Sequence, residues 1–459
     1  MAHHQDLREF YMGKDVGDVP KPALVLDAAI IRRHCRTMIR TVKELGVGFR
    51  AHVKSHKTAE IAEMQVDDKS LEGNFIASTI LEIETLVPLL KRLKAEQRNV
   101  NVLYGIPLVP SQVIRLAKLA LEVGEGSISV MIDHPDQVAY LPRFYSITNF
   151  PVSVFIKVDT GYHRAGLPPT SLNKNGLLDK LADAIKQGYA RLLGIYSHSS
   201  LSYAGTTPQE VVGHLITEIE GCKEALQRHL QFFPEKDLII SVGATPQAIS
   251  TQNILQDGYS SPQLSTLRNL LKSPFANDLE ARVKVEIHAG VYPLLDMQQM
   301  STNAKIQMGG PEDEIAISVL AEVCSVYNDG ERPRPEALLA AGTLALGREP
   351  CPSYHGWGVI SSWRQSAPLP SARLIVERIS QEHSIVSWQD KQADSSEIPL
   401  SVGQVVKVYP NHACVAASFY SFYFVVDSDQ DPEAAKIVDV WVGSSGSYMT
   451  EVALHSRPQ

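Results

Sequence analysis

The chain has 459 residues, 44% hydrophobic and 20% charged, and 43 Lys plus Arg against 51 Asp plus Glu leave a net charge of −8. Such a composition buries a sizeable core and excludes a disordered or collagen-like chain. The acidic balance gives no general attraction to nucleic acid or to an anionic membrane.

No run reaches the roughly 18 apolar residues of a spanning helix. The opening stretch, MAHHQDLREFYMGKD, holds no apolar signal core. The cysteines, Cys35, Cys222, Cys324, Cys351 and Cys414, are scattered and odd in number, with no CxxC pair. That pattern predicts a reducing, cytoplasmic compartment, no disulfide framework and no structural zinc cluster. At about 150 residues per domain the length allows about three domains, although one α/β barrel alone takes about 250.

The first strand-like run is Ala23–Asp27, which is expected to pair with the C-terminal part of the chain. From about residue 48 to 290, short apolar runs alternate with helical patterns. The runs are Phe49–Val53, Asn74–Ser78, Val100–Tyr104, Ser127–Ile132, Val152–Val158, Leu192–Tyr196, Leu238–Val242 and Val283–Ile287. Each reads as a strand buried on both faces. Helices are predicted between them, for example over Ile80–Leu93, Pro110–Val123 and Pro208–Leu230, with Pro135 opening another. Repeated strand–helix units predict a parallel sheet, and eight of them an α/β fold of (β/α)8 TIM-barrel type over residues 28–300. A Rossmann-like sheet is the alternative, weakened because no GxGxxG follows an early strand. Beyond about residue 300 helical periodicity fades. Seven further runs follow: Ile315–Val323, Ala337–Ala340, Leu374–Arg378, Ser384–Trp388, Val405–Tyr409, Phe422–Val426 and Ile437–Val442. They predict a mostly β second domain built from residues 1–27 and 301–459.

In such a barrel the chemistry gathers at the C-terminal ends of the strands. Those ends carry His52, Lys54, His56 and Lys57 after the first run, and Tyr104, Asp133 and His134 after the third and fourth. They carry His163 and Arg164 after the fifth, His198 and Tyr203 after the sixth, and His288 and Tyr292 after the eighth. Lys54 directly follows the strand FRAHV and is expected to point into the barrel mouth, where desolvation makes an amine nucleophilic. A snorkelling surface lysine is the alternative, and Lys57 is the rival amine. The roles of His56, His163 and His198 stay open between base and supporting polar group. Tyr104, Asp133 and His134 read as strand-end supports.

In SVGATPQ, Gly243, Ala244 and Thr245 lie between a strand and a helix, an arrangement that aims free N–H groups at a phosphate. A reactive lysine with a phosphate cradle is what a pyridoxal phosphate enzyme needs. In PNHACVA, His412 and Cys414 alternate by two in a strand-like setting, which turns both to one side. Those donors suit zinc; a buried Cys beside a helpful His is the alternative.

PALVLD, AHVKSHKT, LYGIPLVP, KVDTGYHRAGL, SVGATP, EIHAGVYPLLDMQQ and PNHACVA together resemble the eukaryotic-type D-serine dehydratases and the metal-dependent D-threonine aldolases. These are fold-type III pyridoxal phosphate enzymes, similar in fold to alanine racemase. The resemblance spans nearly the whole chain in family order. It implies Lys54 as the Schiff-base lysine, and Gly243, Ala244 and Thr245 at the cofactor phosphate. It also implies Arg164 near the pyridine nitrogen, Tyr203 and Tyr292 near the cofactor, and His412 and Cys414 as zinc ligands. The aldolases carry Asp where this chain has Cys414, which favours dehydration. The implied scheme has Lys54 removing the α-proton of a D-β-hydroxy amino acid, zinc drawing off the hydroxyl, and pyruvate and ammonia leaving; D-threonine would give 2-oxobutanoate. The implied partners are that small substrate and a second copy in a homodimer. Alternatives are an aldolase releasing glycine, a racemase with Tyr292 as second acid/base, and a non-catalytic cofactor carrier. The chain departs from the family at Ser200 and Leu201, where glycine and histidine are expected. AAGTLALGREP also lacks the usual Asp and Lys, and Glu382 and His383 lie in a family-like stretch without an evident role.

Overall fold

A computed structural model describes residues 2–66, 69–233, 237–272, 283–361, 363–364, 373–390 and 397–444. The chain divides into two compact units: one comprises Cys35–Tyr292 with Thr302–Ile306, the other Met1–His34, Pro293–Ser301 and Gln307–Gln459. Strand β1 (Ala23–Asp27) belongs to the latter.

The barrel unit carries β2 (Gly48–His52), β3 (Glu72–Ala77), β4 (Asn99–Pro107) and β5 (Ile128–Ile132). It continues with β6 (Val152–Val158), β7 (Ala190–Ser197), β8 (Leu238–Val242) and β9 (Val283–Ala289). These eight form a closed parallel barrel, as the alternation of apolar runs with helices predicts. Closure is made by β9 on β2, from Gly48 opposite Glu286 to Ala51 opposite Ala289. Alternation along each strand sends one set of side chains inward. Near the N-terminal ends the interior is polar: Arg50, 1% exposed, places Nε 2.6 Å from Glu286 Oε1 and Nη1 2.7 Å from Asn101 Oδ1. A buried ion pair persists only when its remaining donors and acceptors are met, and here Phe75 O and Ser129 Oγ complete the set. Above it lies an apolar belt of Ile76, Leu103, Met131, Phe155 and Tyr196. Each such side chain contributes on the order of 1.5–3 kcal/mol when buried.

The predicted helices form as Ile80–Ala95, Val113–Val123 and Pro208–Arg228. Thr79 and Thr207 accept from the third backbone N–H of the helices they open, the N-cap pattern that fixes where a helix starts.

The other unit is a nine-stranded sheet in the order β11-β14-β13-β12-β15-β10-β1-β16-β17. Its further strands are β10 (Ile317–Tyr327), β11 (Glu336–Leu339), β12 (Gly358–Ile360) and β13 (Leu374–Ile379). They are followed by β14 (Ser384–Trp388), β15 (Val405–Pro410), β16 (Phe422–Val426) and β17 (Asp439–Val442). As expected, β1 joins this sheet, antiparallel to β10 and parallel to β16. The short β12 has no counterpart among the predicted runs; its pattern, three residues after a glycine-rich turn, carries no periodicity to read. Glu382 and His383 fall in the exposed turn between β13 and β14, where the Ser380 N–H donates to His383 O.

Candidate functional site

The C-terminal mouth of the barrel collects the reactive groups. His52 ends β2, and Lys54 follows in a single helical turn, Val53–Ser55. Lys54 is half-buried and forms no hydrogen bond or ion pair among the described residues. The rival Lys57 places Nζ 3.8 Å from Glu82 Oε1. The two lysines thus differ: one amine is tied to a carboxylate, the other is not. Burial keeps His52 and His198 well below the ordinary histidine range, and the charge of Lys54 adds to the effect on both.

At the end of β8 the chain turns through Gly243 (φ +133°), where a Cβ would lie 2.6 Å from His288 O. Only glycine suits that backbone and that approach. The helix Thr245–Thr251 follows, its N-cap Ala244 offering no side-chain acceptor. Its first N–H groups therefore have no cap, although the helix is buried. Thr245 Oγ1 accepts from the Val291 N–H at 3.0 Å, fixing the turn. His198 Nδ1 lies 2.7 Å from Gly243 O, so this nitrogen carries the proton and donates to the same turn. His288 stacks on Tyr196 at 4.4 Å and lies 3.1 Å from Ser241 Oγ through Nδ1.

Sequence reasoning missed Lys157 and Glu218. Lys157 stands on the inward face of β6 with Nζ 4.8 Å from the centre of the Tyr196 ring, and burial pulls its amine below the ordinary value. Burial pushes Glu218 upward; its oxygens accept from Ser197 Oγ at 3.2 Å and Gln247 Nε2 at 2.9 Å. The signals were present. Lys157 is the one charge in VSVFIKV, and Glu218 sits on the apolar stripe of its helix beside Val211, Leu215 and Cys222.

Arg164 is exposed after β6, close enough for its charge to lower His52, His198 and Lys157. Tyr203 lies half-buried in the turn Leu201–Ala204 after β7. Tyr292 does not join this cluster. It is 1% exposed and packs edge-on against Phe49 at 5.6 Å, and Phe49 alternates away from the inward Arg50 and His52. Burial raises its phenol far above the ordinary range, with Cys35 and Gln65 beside it.

His56 is a supporting residue. It is buried, Nδ1 accepts from the Thr58 N–H at 3.1 Å, and Nε2 lies 2.9 Å from Gln65 Oε1. His163 is exposed and pairs with Asp159 at 2.8 Å. Asp133 and His134 support strand ends as expected: Asp133 Oδ2 accepts from the Gly166 N–H, and His134 caps the helix Pro135–Val138.

In the sheet unit, His412 and Cys414 are not on a strand. β15 ends at Pro410; His412 is the N-cap of the helix Ala413–Ser418 and Cys414 lies in its first turn. The pair still meets, because the first turn folds back over its cap. Burial opposes charge on His412, but its hydrogen bond to Cys414 and the nearby carboxylates of Asp296 and Glu349 lift it to about 9. His412 Nδ1 is buried without a hydrogen-bond partner. Asp296 Oδ2 accepts from the Ala413 N–H at 2.8 Å and holds the turn. An orphaned imidazole nitrogen beside a thiol is a donor set that fits zinc. Among the described residues no third His, Cys, Asp or Glu completes a cluster.

A closed parallel barrel, a lysine after its first strand with no ion pair among the described residues, and an uncapped turn after its seventh make up the layout of an alanine-racemase-like enzyme. The family "Alanine racemase, N-terminal domain" matches residues 26–256, and "Putative serine dehydratase domain" matches residues 316–426. The D-serine dehydratase of Schizosaccharomyces pombe is 32% identical over 448 residues, covering 97% of this chain and 96% of its own. That of Saccharomyces cerevisiae is 29% identical, covering 95% and 98%. The solved structure of D-threo-3-hydroxyaspartate dehydratase from Delftia sp. HT23 superposes with a TM-score of 0.71 at 22% identity, over 94% of this chain and 100% of that one. The chain belongs to the D-serine dehydratase family, among the fold-type III pyridoxal phosphate enzymes.

Proposed function

We propose that this protein eliminates water from D-serine to an enamine whose hydrolysis returns that water and releases pyruvate and ammonia, and converts D-threonine to 2-oxobutanoate and ammonia by the same route. The observation that carries the reading is Lys54, an amine at the end of β2 with no ion-pair partner among the described residues, while Lys57 is tied to Glu82. Pyridoxal phosphate, when bound, supplies a ring that takes up negative charge from the α-carbon. Lys54 would hold its aldehyde, and the backbone of Gly243, Ala244 and Thr245 its phosphate, with Arg164 and Tyr203 around it. Once the substrate's own amine has displaced it, the freed Lys54 Nζ would take the α-proton. Burial keeps His52 and His198 well below the ordinary histidine range, so both stay neutral beside that amine. Loss of that proton and of the β-hydroxide gives 2-aminoacrylate, which tautomerises and hydrolyses to pyruvate and ammonia. His412 and Cys414 would hold zinc, which supplies a Lewis acid.

The relatives named D-serine dehydratase support the substrate, and the scattered cysteines, odd in number and without a CxxC pair, fit a reducing, cytoplasmic setting. No helix among the described residues is long and apolar enough to cross a membrane. We take the working form to be a homodimer, as the family resemblance implies. The racemase alternative loses its candidate acid, because Tyr292 is sealed against Phe49.

The test is pyruvate release from D-serine by the protein loaded with pyridoxal phosphate and zinc. Lys54→Ala should lower it by about 10² to 10⁴-fold, the range for losing a positioned acid–base group, or more. Equal rates in the two proteins would end the reading, and glycine with an aldehyde from D-threonine would replace it with an aldolase.

A further inference from the structure

On β15, Val406 and Val408 enter the apolar core of the sheet unit, so Lys407 and Tyr409 project from the opposite face. That face borders a cavity of about 320 Å³, in the range of small-metabolite sites. The described residues of its wall all belong to the sheet unit, and none of them is a residue of the proposed cofactor or zinc site.

Lys407 is 8% exposed, and its amine makes no hydrogen bond or ion pair among the described residues. Its compensation is the face of Trp363, with Nζ 4.3 Å from the ring centre. Trp363 is itself fixed, donating through Nε1 to Glu433 O at 2.7 Å. The amine is therefore open to the cavity with no acceptor among the described residues to meet it. Burial pulls Lys407 to about 8, against the charges of Asp27 and Asp431 and with that of Arg364, so the amine is still mostly cationic near neutrality. Tyr409 reaches Ser361 Oγ only at 3.5 Å, the limit of a hydrogen bond, which leaves its hydroxyl available.

The carboxylates in the wall matter as much. Asp27 Oδ1 accepts from the Ala29 and Ser428 N–H groups at 3.0 and 3.2 Å, while Oδ2 accepts nothing among the described residues. Glu312 lies beyond Ser361, whose Oγ donates to it at 3.4 Å. Among the described residues of the wall, the carboxylates of Asp27, Glu312, Asp313 and Glu433 outnumber the cations Arg33 and Lys407, so the wall repels a plain anion despite its amine. A ligand carrying both signs meets both needs. We propose that this cavity binds a small free α-amino acid, its carboxylate on Lys407 Nζ and the Tyr409 hydroxyl and its ammonium on Asp27 and Glu312.

The experiment maps lysine acetylation by acetic anhydride on the loaded wild-type protein, reading the Lys407 peptide by mass spectrometry. Glycine should slow Lys407 labelling roughly tenfold relative to the exposed lysines of the same sample, which correct for anhydride consumed by glycine's own amine, whereas acetate and methylammonium at equal concentration should not, since each meets one end of the cavity only. Lys407→Met should abolish the matching calorimetric signal without changing pyruvate release at low substrate. Unchanged labelling in glycine overturns the proposal, as does equal protection by acetate. The mapping uses the unaltered sequence, so it decides the matter even if Lys407→Met fails to fold. Glycine held at the Lys54 amine instead would change cofactor absorbance and leave Lys407 labelling as it was, which also overturns the proposal.

Discussion

Single side chains at the barrel mouth set both chemistry and acid stability. His56 is buried, satisfied by Thr58 and Gln65, and held down to about 4 by desolvation, against an ordinary value of 6.5. Its folded form resists the proton that the unfolded chain accepts. The stability it contributes is therefore complete above pH 6.5 and is lost as pH falls toward 4, on the order of 3 kcal/mol in all. His52, His198 and His288 are lowered in the same direction. Thermal unfolding followed across that window should show wild type weakening more steeply than His56→Gln, by up to one proton; parallel curves would show that His56 does not carry the effect. At His412 the matching test is removal of metal. A chelator should abolish pyruvate release while cofactor absorbance persists, and added zinc should restore it. Activity untouched by exhaustive chelation would remove zinc from the scheme.

Strands and helices tolerate change according to what their backbones touch. Gly194 lies in β7, and a Cβ there would stand 1.9 Å from Ile239 O of β8. Backbone cannot move aside as a side chain can, so Gly194→Ala should cost about 3 kcal/mol or more, or prevent folding. Gly213 makes the contrast. It lies inside the helix Pro208–Arg228 with nothing within 4 Å of its would-be Cβ. Gly213→Ala should stabilise the protein by about 0.5–1 kcal/mol, because alanine loses less backbone freedom in a helix. Denaturant midpoints of the two variants measure both. A neutral Gly194→Ala would mean that β7 and β8 are not packed at this distance.

Over the whole molecule, sequence order and structural order part company in the sheet unit. β1 lies between β10 and β16, so residues 23–27 bridge strands drawn from beyond residue 317. Deleting residues 2–27 should cut β16 and β17 from the rest of the sheet and expose two open edges, which favour association with other chains. The expected outcome is insoluble protein, or soluble protein without the cooperative unfolding of the sheet unit. A soluble, fully cooperative truncated chain would show that β1 is dispensable.

Much of this was legible in the order of residues. Eight apolar runs separated by helical patterns sufficed for the barrel, because strands covered on both faces read as near-continuous apolar runs. Lys54 and Gly243–Thr245 could be placed from the strand ends alone, since a strand's end is a local feature. What the local pattern left open was the company each residue keeps. Lys57 differs from Lys54 only through Glu82, 25 residues further on. Tyr292 follows a barrel strand yet turns to its outer side, onto Phe49. His412 and Cys414 read as strand neighbours, but Asp296, far earlier in the chain, supplies the acceptor that lets a helix start between them. Periodicity is set by neighbours in sequence and can be read there; pairing, burial and the facing of a side chain are set by contacts between distant segments, and those exist only once the chain has folded.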